Sequence, residues 1–145
     1  METNSPSVPA QPQRPADVVQ NCDVFVIGGG PAGSTAAALL ADRGWDVVVA
    51  EKDRHPRFHI GESLLPLNIE LFERLGVLDK IEEIGIRKYG AELTSPWHDA
   101  AVTLDFADAW DKRFPHAFQV RRSEFDQVLF EHSVARGARL LQQTR

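Results

Sequence analysis

The stretch Asp23–Glu51, DVFVIGGGPAGSTAAALLADRGWDVVVAE, decides how this chain folds. An apolar run enters a glycine-rich turn, an alanine-rich stretch follows, and a second apolar run ends at Glu51. This pattern predicts a strand, a helix closed by Gly44, and a second strand, at about residues 22–27, 32–43 and 45–50. The first strand is almost entirely apolar, which is typical of a parallel strand buried on both faces. Strand, helix and strand in this order form a right-handed β-α-β unit, so we expect an α/β fold with a parallel sheet.

The turn between the first strand and the helix has the spacing G-x-G-x-x-G, at Gly28, Gly30 and Gly33. Gly28 allows a tight turn, Gly30 lets the backbone approach a pyrophosphate, and Gly33 lets helix and strand pack closely. The helix then directs its free N–H groups at the phosphates, and Glu51 is placed to accept hydrogen bonds from a ribose. The alternative is an ordinary strand-turn-helix whose glycines only relieve strain. Because strand, turn, helix and acid come in the required order, we favour a dinucleotide site, which the motif alone assigns neither to FAD nor to NAD.

The composition argues against several other classes of function. With 145 residues, 43% of them hydrophobic and 26% charged, the chain has the size and composition of one soluble globular domain. Its net charge of -5 argues against a nucleic-acid partner. Cys22 is the single cysteine, and the five histidines lack metal-ligand spacing, so neither an internal disulfide nor a metal site is expected. No apolar run approaches the ~18 residues of a membrane span, so we expect a cytoplasmic protein without a membrane partner.

The rest of the chain divides into a tail and further short elements. Four prolines among serine, glutamine and asparagine predict a disordered tail over residues 1–20. Residues 51–63 predict a loop at the carboxyl end of the second strand, where open α/β sheets bind ligands. Ser123 and Asp126 form an S-x-x-D helix start, and Gly137 follows as its end. We expect helices at residues 66–75, 77–84 and 124–136, antiparallel strands at 89–94, 101–106 and 117–120, and a further parallel strand at 138–141.

Three further segments carry a more specific resemblance, namely GESLLP at residues 61–66, KYGAE at 88–92 and QVRRSEFD at 119–126. Together with the glycine turn they resemble the N-terminal part of FAD-dependent halogenases, in the flavin-dependent halogenase and monooxygenase superfamily. The branch concerned acts on phenols, pyrroles and carrier-bound acyl groups. The resemblance covers about residues 22–145. The glycine turn is shared with many flavoproteins, whereas Gly-Glu-Ser followed by Leu-Leu-Pro is much more selective.

The resemblance implies a fold, a reaction and a set of partners. The fold is a Rossmann-like FAD-binding domain, of which residues 21–145 form the N-terminal portion. The implied enzyme is an oxidoreductase in which reduced FAD, O2 and halide give hypohalous acid that halogenates an electron-rich substrate. Its implied partners are an aromatic substrate, as a small molecule or bound to a carrier protein, the halide, and a separate flavin reductase.

Lys88 matches the catalytic lysine of the family. That lysine hydrogen-bonds the hypohalous acid or becomes a haloamine, and an amine suits either role. From the local sequence alone, Lys88 is equally explained as a solvated charge beside Arg87 at the start of a strand.

The cofactor contacts implied by the resemblance extend beyond the glycine turn. The Gly61–Ser63 segment lies near the flavin in the family, although Ser63 would also cap the helix that follows. Arg122 matches an arginine that lies by the FAD and offers a fixed fork of donors to phosphate or ribose, the alternative being a surface arginine near a helix start. The predicted cofactor-binding residues are Gly28, Gly30, Ala32, Gly33, Ser34, Glu51, Lys52, Arg57, Gly61, Glu62, Ser63 and Arg122.

Two other functions stay open from the sequence. One is a related FAD-dependent aromatic hydroxylase or isoprenoid-type reductase, and such reductases often have a cysteine in the loop after the second strand, where this chain has none. The other is a non-catalytic flavin-binding fragment, because a complete family member continues through the rest of the sheet and a substrate layer. We therefore expect the isolated chain to bind FAD weakly at best and not to turn over. The substrate and the choice of chloride or bromide depend on parts of the fold beyond these residues.

Overall fold

The computed structural model describes residues 21–145, with the backbone alone for residues 98 and 99. The predicted disordered tail, residues 1–20, lies outside the described residues. The strands are β1 Val24–Ile27, β2 Val47–Glu51, β3 Ile86–Lys88, β4 Gly90–Ser95, β5 His98–Asp105, β6 Ala117–Gln119 and β7 Arg139–Gln142. The helices are α1 Pro31–Ala41, α2 Asn68–Leu75, α3 Leu78–Ile84 and α4 Arg122–Ala135, and a short 3-10 turn spans Phe106–Asp108.

A three-stranded parallel sheet organises the described chain. β2 lies in the middle, with β1 on one side and β7 on the other. All five residues of β2 are buried, since this strand has neighbours on both edges and helices against it. Val47 and Val49 pack with Ala37 of α1 and Phe130 of α4. The predicted α/β class, the β-α-β start and the late parallel strand are therefore confirmed.

A second core lies between the helices. It joins α1, α2, α3 and α4 around Phe72, Leu75, Ile81, Phe118 and Leu129, all of them buried. Because Phe118 belongs to β6, this core also fixes the short antiparallel pair of β6 and β3. β4 and β5 form a separate hairpin, so the predicted antiparallel layer is present as two small sheets.

The prediction that β1 is buried on both faces was wrong. Its residues alternate, with Phe25 53% and Ile27 87% exposed, whereas Val24 and Val26 face the core with α1. The physical reason is position: within the described chain, β1 pairs with β2 alone and lies at the edge of the sheet. A fully apolar sequence therefore corresponds to burial on both faces in β2, but to burial on only one face in β1.

The start of α4 also differs from the prediction. The S-x-x-D signal placed Ser123 as a cap, but the helix already begins at Arg122, and its N-cap residue Arg121 makes no side-chain cap. Ser123 is therefore a helical residue. Asp126 is wholly buried, and its carboxylate pairs with the guanidinium of Arg122 in the first turn of the helix. The glycines predicted after α1, α2 and α4, namely Gly44, Gly76 and Gly137, all have positive φ, but α1 already ends at Ala41, two residues before the predicted end.

Strand β3 was not predicted from the sequence. Among residues 21–145, none of the helices has the length and the apolar character needed to span a membrane.

Candidate functional site

The glycine turn between β1 and α1 has three positions where a side chain would be strained or would clash. A Cβ on Gly29 would lie 2.5 Å from the ring of Phe130. Gly28 has a φ of +99°, where a side chain is strained. A Cβ on Gly33 would lie 1.9 Å from the carbonyl oxygen of Gly28, so α1 rests directly on the backbone of the turn. Gly30 differs, because the nearest atom to a Cβ there would be Nη2 of Arg57, at an ordinary 3.6 Å. The space beside Gly30 is therefore free for a ligand.

The N-terminus of α1 opens onto this turn. The helix begins at Pro31, whose missing N–H costs nothing at this position, and Gly30 before it provides no side-chain cap. The first N–H groups of α1, including that of Ala32, have no partner within the helix, and together with the helix dipole they favour an anion. Ser34 is wholly buried, and its hydroxyl donates to the carbonyl of Gly29 at 3.0 Å. Its side chain thus braces the turn from within.

Glu51 ends β2 with its carboxylate against the same turn. Oε2 accepts the backbone N–H of Gly29 at 2.7 Å, and Oε1 accepts that of Asp53 at 2.9 Å. Burial alone would raise the pKa of Glu51, but these two N–H groups, the Arg57 guanidinium and His55 together hold its pKa below the usual value of 4.5. The carboxylate is therefore charged at neutral pH and keeps lone pairs free for hydroxyl donors.

The environment of Arg57 shows whether these residues fit the diphosphate group of a dinucleotide. Its Nη2 lies 3.4 Å from Oε2 of Glu51 and 4.0 Å from Oδ2 of Asp126. Its Nε and Nη1 are buried and have no hydrogen-bond partner among the described residues. Buried polar atoms are rarely left unpaired, so two idle guanidinium donors beside a glycine turn indicate a missing acceptor. A phosphate or a ribose oxygen satisfies them, and the residues fit such a group.

A cavity of about 550 Å³ adjoins this cluster at the carboxyl ends of the parallel strands. Apolar side chains of β1 form one wall and the charged residues Glu51, Lys52 and Arg57 another. This combination suits a planar base joined to a sugar and phosphates, and the place is where open α/β sheets bind ligands. The remaining lining residues are Phe25, Ile27, Gly28, Ala50, Thr144 and Arg145.

Arg122 holds the predicted cofactor loop against α4. Its Nε and Nη2 pair with both oxygens of Asp126, at 2.8 and 3.1 Å, and Nη1 donates to the carbonyl of Ile60 at 2.9 Å. Gly61, with a φ of +100°, sits on the guanidinium. Arg122 and Gly61 also line a second cavity of about 260 Å³, which Ala32 of α1 closes on the opposite side.

Lys88 and Ser63 come together on the far side of that loop. The ammonium of Lys88 donates a hydrogen bond to Oγ of Ser63 and lies 5.3 Å from the ring centroid of Phe106. β6 fixes both residues, since its Gln119 pairs with Ser63 and its Ala117 with Lys88. Lys88 is half-buried, whereas the alternative interpretation expected a fully solvated side chain at the start of a strand.

The structure thus gathers the predicted residues into neighbouring groups. The turn group joins the glycines, Glu51, Lys52 and Arg57, and the loop group joins Gly61 and Arg122. Ser63 and Lys88 form a pair of their own, and the backbone carbonyl of Glu62 accepts the N–H of Val120 while its side chain is exposed. Contact of each residue with a cofactor stays a prediction.

The sequence reasoning missed two residues of the site, Asp126 and His55. His55 stacks on Phe130 at 4.3 Å between ring centroids, and both of its ring nitrogens are buried without a partner among the described residues. The spacing of four between Arg122 and Asp126 was the available signal for an ion pair on one helix face. No sequence signal connects His55 with Phe130, because they lie 75 positions apart.

Comparison with known proteins gives a consistent result. The family model described as FAD binding domain matches residues 21–145. The chain is 43% identical over 123 residues to a flavin-dependent halogenase from Penicillium aethiopicum, a match that spans 84% of this chain and 23% of that protein. It is 36% identical to a 1H-pyrrole-2-carbonyl-(peptidyl-carrier protein) chlorinase from Pseudomonas fluorescens, over 83% of this chain and 30% of the relative.

Among solved structures, the myxobacterial chondrochloren halogenase CndH superposes with a TM-score of 0.76 at 34% identity, over 84% of this chain and 28% of that structure. The chain therefore spans between a fifth and a third of the length of these three proteins.

Proposed function

Because this chain belongs to the FAD-binding domain family and its homologues include flavin-dependent halogenases, we propose that it forms the FAD-binding region of a halogenase-like oxidoreductase. When bound, FAD supplies the reaction of its reduced form with O2 that oxidises a halide. The observation that carries the cofactor assignment is the pair of idle, buried donors of Arg57 beside the glycine turn.

In this proposal, different residues of the chain bind different parts of the cofactor. The turn at Gly30 and the start of α1 bind the diphosphate, and Arg57 donates to the same group or to the adjoining ribose. Glu51 accepts ribose hydroxyls, since it is ionised and held by Gly29. The base takes the 550 Å³ cavity beside Phe25. The chain thus holds the adenosine diphosphate half of FAD.

Lys88 is proposed as the residue that delivers the halogen. Ser63 orients its amine, and Phe106 covers one side of it, so the group is positioned and partly shielded from water. The loop that carries Ser63 also carries Gly61, which Arg122 fixes beside the second cavity. A single short segment therefore connects the cofactor side of the protein with the lysine.

The partners proposed for the whole protein follow from its relatives. They are a halide, a flavin reductase that supplies reduced FAD, and an aromatic substrate that is either free or carried by a protein, as the name of the Pseudomonas chlorinase describes for that enzyme. A related aromatic hydroxylase or reductase would use the same turn, so Lys88 is the residue that separates these functions.

The test is a product assay with the full-length protein, reduced FAD, O2 and chloride or bromide. Halogenated product is expected, and Lys88→Ala should abolish it while leaving the oxidation of reduced FAD intact. Lys80→Ala, which removes an exposed lysine on α3, is the matched control and should keep full product formation. Hydroxylated or reduced product alone would overturn the halogenase assignment, and product from Lys88→Ala would remove Lys88 from its role.

A further inference from the structure

Asp126 is a buried charged residue that is not among the residues predicted from the sequence to bind the cofactor or to act in catalysis. It lies on α4, is 0% exposed, and is flanked by two arginines from different parts of the sequence. Both of its oxygens pair with Arg122, while Arg57 approaches from the other side at 4.0 Å. A buried carboxylate is costly unless it is paired in this way, so the arrangement requires all three groups together.

The arginine on one side of Asp126 controls the Gly61–Ser63 loop. With two of its nitrogens fixed by Asp126, Arg122 can direct only Nη1 outward, and this atom donates to the carbonyls of Ile60 and Gly61 at 2.9 and 3.4 Å. A guanidinium is a rigid fork, so fixing one edge fixes the direction of the other. Asp126 therefore fixes the first part of the loop, Ile60 and Gly61, next to the backbone hydrogen bonds by which β6 and the residue after it hold Glu62 and Leu64.

The arginine on the other side controls the glycine turn. Nη2 of Arg57 lies between the carboxylates of Glu51 and Asp126, which directs the remaining donors, Nε and Nη1, away from both. These are the two buried donors without a partner among the described residues. Asp126 therefore helps to set where an anion at the turn would be bound.

We propose that Asp126 is a positioning residue that aligns Arg57 and Arg122 at once, and so couples the phosphate-binding turn to the loop that carries Ser63. Its effect on nucleotide binding rests on the proposed function, whereas its effect on the loop does not. Removal of its charge releases the fork of Arg122, frees the loop and leaves two neighbouring guanidinium groups without their common partner.

The test compares Asp126→Asn with Asp46→Asn in the same chain. Asn has nearly the shape of Asp without its charge, and Asp46 forms an equally bidentate pair with Arg139 at an exposed site. The amide hydrogen of Leu64, which donates to the carbonyl of Phe118 at 2.9 Å and closes the loop onto β6, should exchange about tenfold faster in Asp126→Asn while exchange in β2 is unchanged, because opening of the loop is local. Asp46→Asn should leave exchange at Leu64 as in the wild type. Unchanged exchange there in Asp126→Asn would overturn the proposal.

A second variant covers the case in which Asp126→Asn does not fold. Arg122→Lys keeps a positive charge beside Asp126 but removes the fork, at a position less buried than that of Asp126, and it should give the same faster exchange at Leu64. Normal exchange in a folded Arg122→Lys variant would contradict the proposal. ADP titration gives a separate readout: weaker binding by Asp126→Asn supports the coupling to Arg57, and unchanged binding refutes it. Failure of the wild type to bind ADP would instead refute the proposed function, and the exchange data would still decide the role of Asp126 at the loop.

Discussion

Oε2 of Glu51 accepts the backbone N–H of Gly29 at 2.7 Å, which fastens the end of β2 to the turn that follows β1. The two residues are 22 positions apart in sequence, and the contact closes the β-α-β unit beside the carboxyl ends of its two strands. The same carboxylate pairs with Arg57 at 3.4 Å, so one side chain organises both the turn and the arginine beside it. The chain itself therefore brings together the turn, the acid and the arginine that we propose for the cofactor.

Two glycines of the turn should respond differently to alanine. Gly33→Ala places a Cβ 1.9 Å from the oxygen of Gly28, so the free energy of unfolding should fall by about 2–3 kcal/mol. Gly30→Ala meets only Arg57 at 3.6 Å and should change the free energy of unfolding by less than about 1 kcal/mol. Urea unfolding checks both values, and equal losses from the two variants would contradict the assignment of separate roles.

The carboxylate of Glu51 should make the chain acid-sensitive. Its pKa is lower in the folded chain than the usual 4.5, so the stabilisation that it gives is complete above about pH 4.5 and is lost as the pH falls further, through the folded value. Glu51→Gln should flatten this part of the stability profile, measured by urea unfolding between pH 3 and pH 6. Glu73→Gln, at an exposed acid of α2, serves as the control. An unchanged profile in Glu51→Gln would show that the carboxylate is not held as described.

His55 should affect the stability of the folded chain at a higher pH than Glu51 does. Burial against Phe130 and then the charge of Arg57 hold the pKa of His55 below 6.5, so the ring binds its proton less tightly in the folded chain than in the unfolded chain. The unfolded chain takes up the proton first, and stability should fall as the pH drops below about 6.5. His55→Gln should remove part of this slope, the rest belonging to His132, whose pKa burial and Arg136 also lower. A slope between pH 5 and 7 that is identical in His55→Gln would refute this role.

The sequence predicted most of the first half of the site because its signals are local. The spacing of Gly28, Gly30 and Gly33 and the apolar runs around them require only neighbouring residues, and each of these elements is present. β3 was missed because it is three residues long and forms only by pairing with β6, about thirty residues later. The misplaced start of α4 has a similar cause, since the tertiary position of Asp126 beside two arginines overrides a local capping signal.

The arrangement of the second half depended on contacts that are distant in sequence. Arg122 was expected to bind a cofactor directly, and the structure engages three of its nitrogens with Asp126 and the carbonyl of Ile60. Lys88 and Ser63 were singled out separately, 25 positions apart, and only the folding of both onto β6 brings them into contact. Sequence therefore singled out Lys88, Ser63 and Arg122 as candidates but did not predict which side chains they contact.

The central claim, that this chain holds the adenosine diphosphate half of FAD, is tested most directly by competition. The isolated chain is titrated with FAD by flavin fluorescence, and ADP or FMN is then added. The account predicts weak but saturable binding that ADP displaces and FMN does not, and that Gly30→Ala weakens about tenfold or more, because its methyl group occupies the approach of the diphosphate. Displacement by FMN but not by ADP, or full affinity in Gly30→Ala, would contradict it.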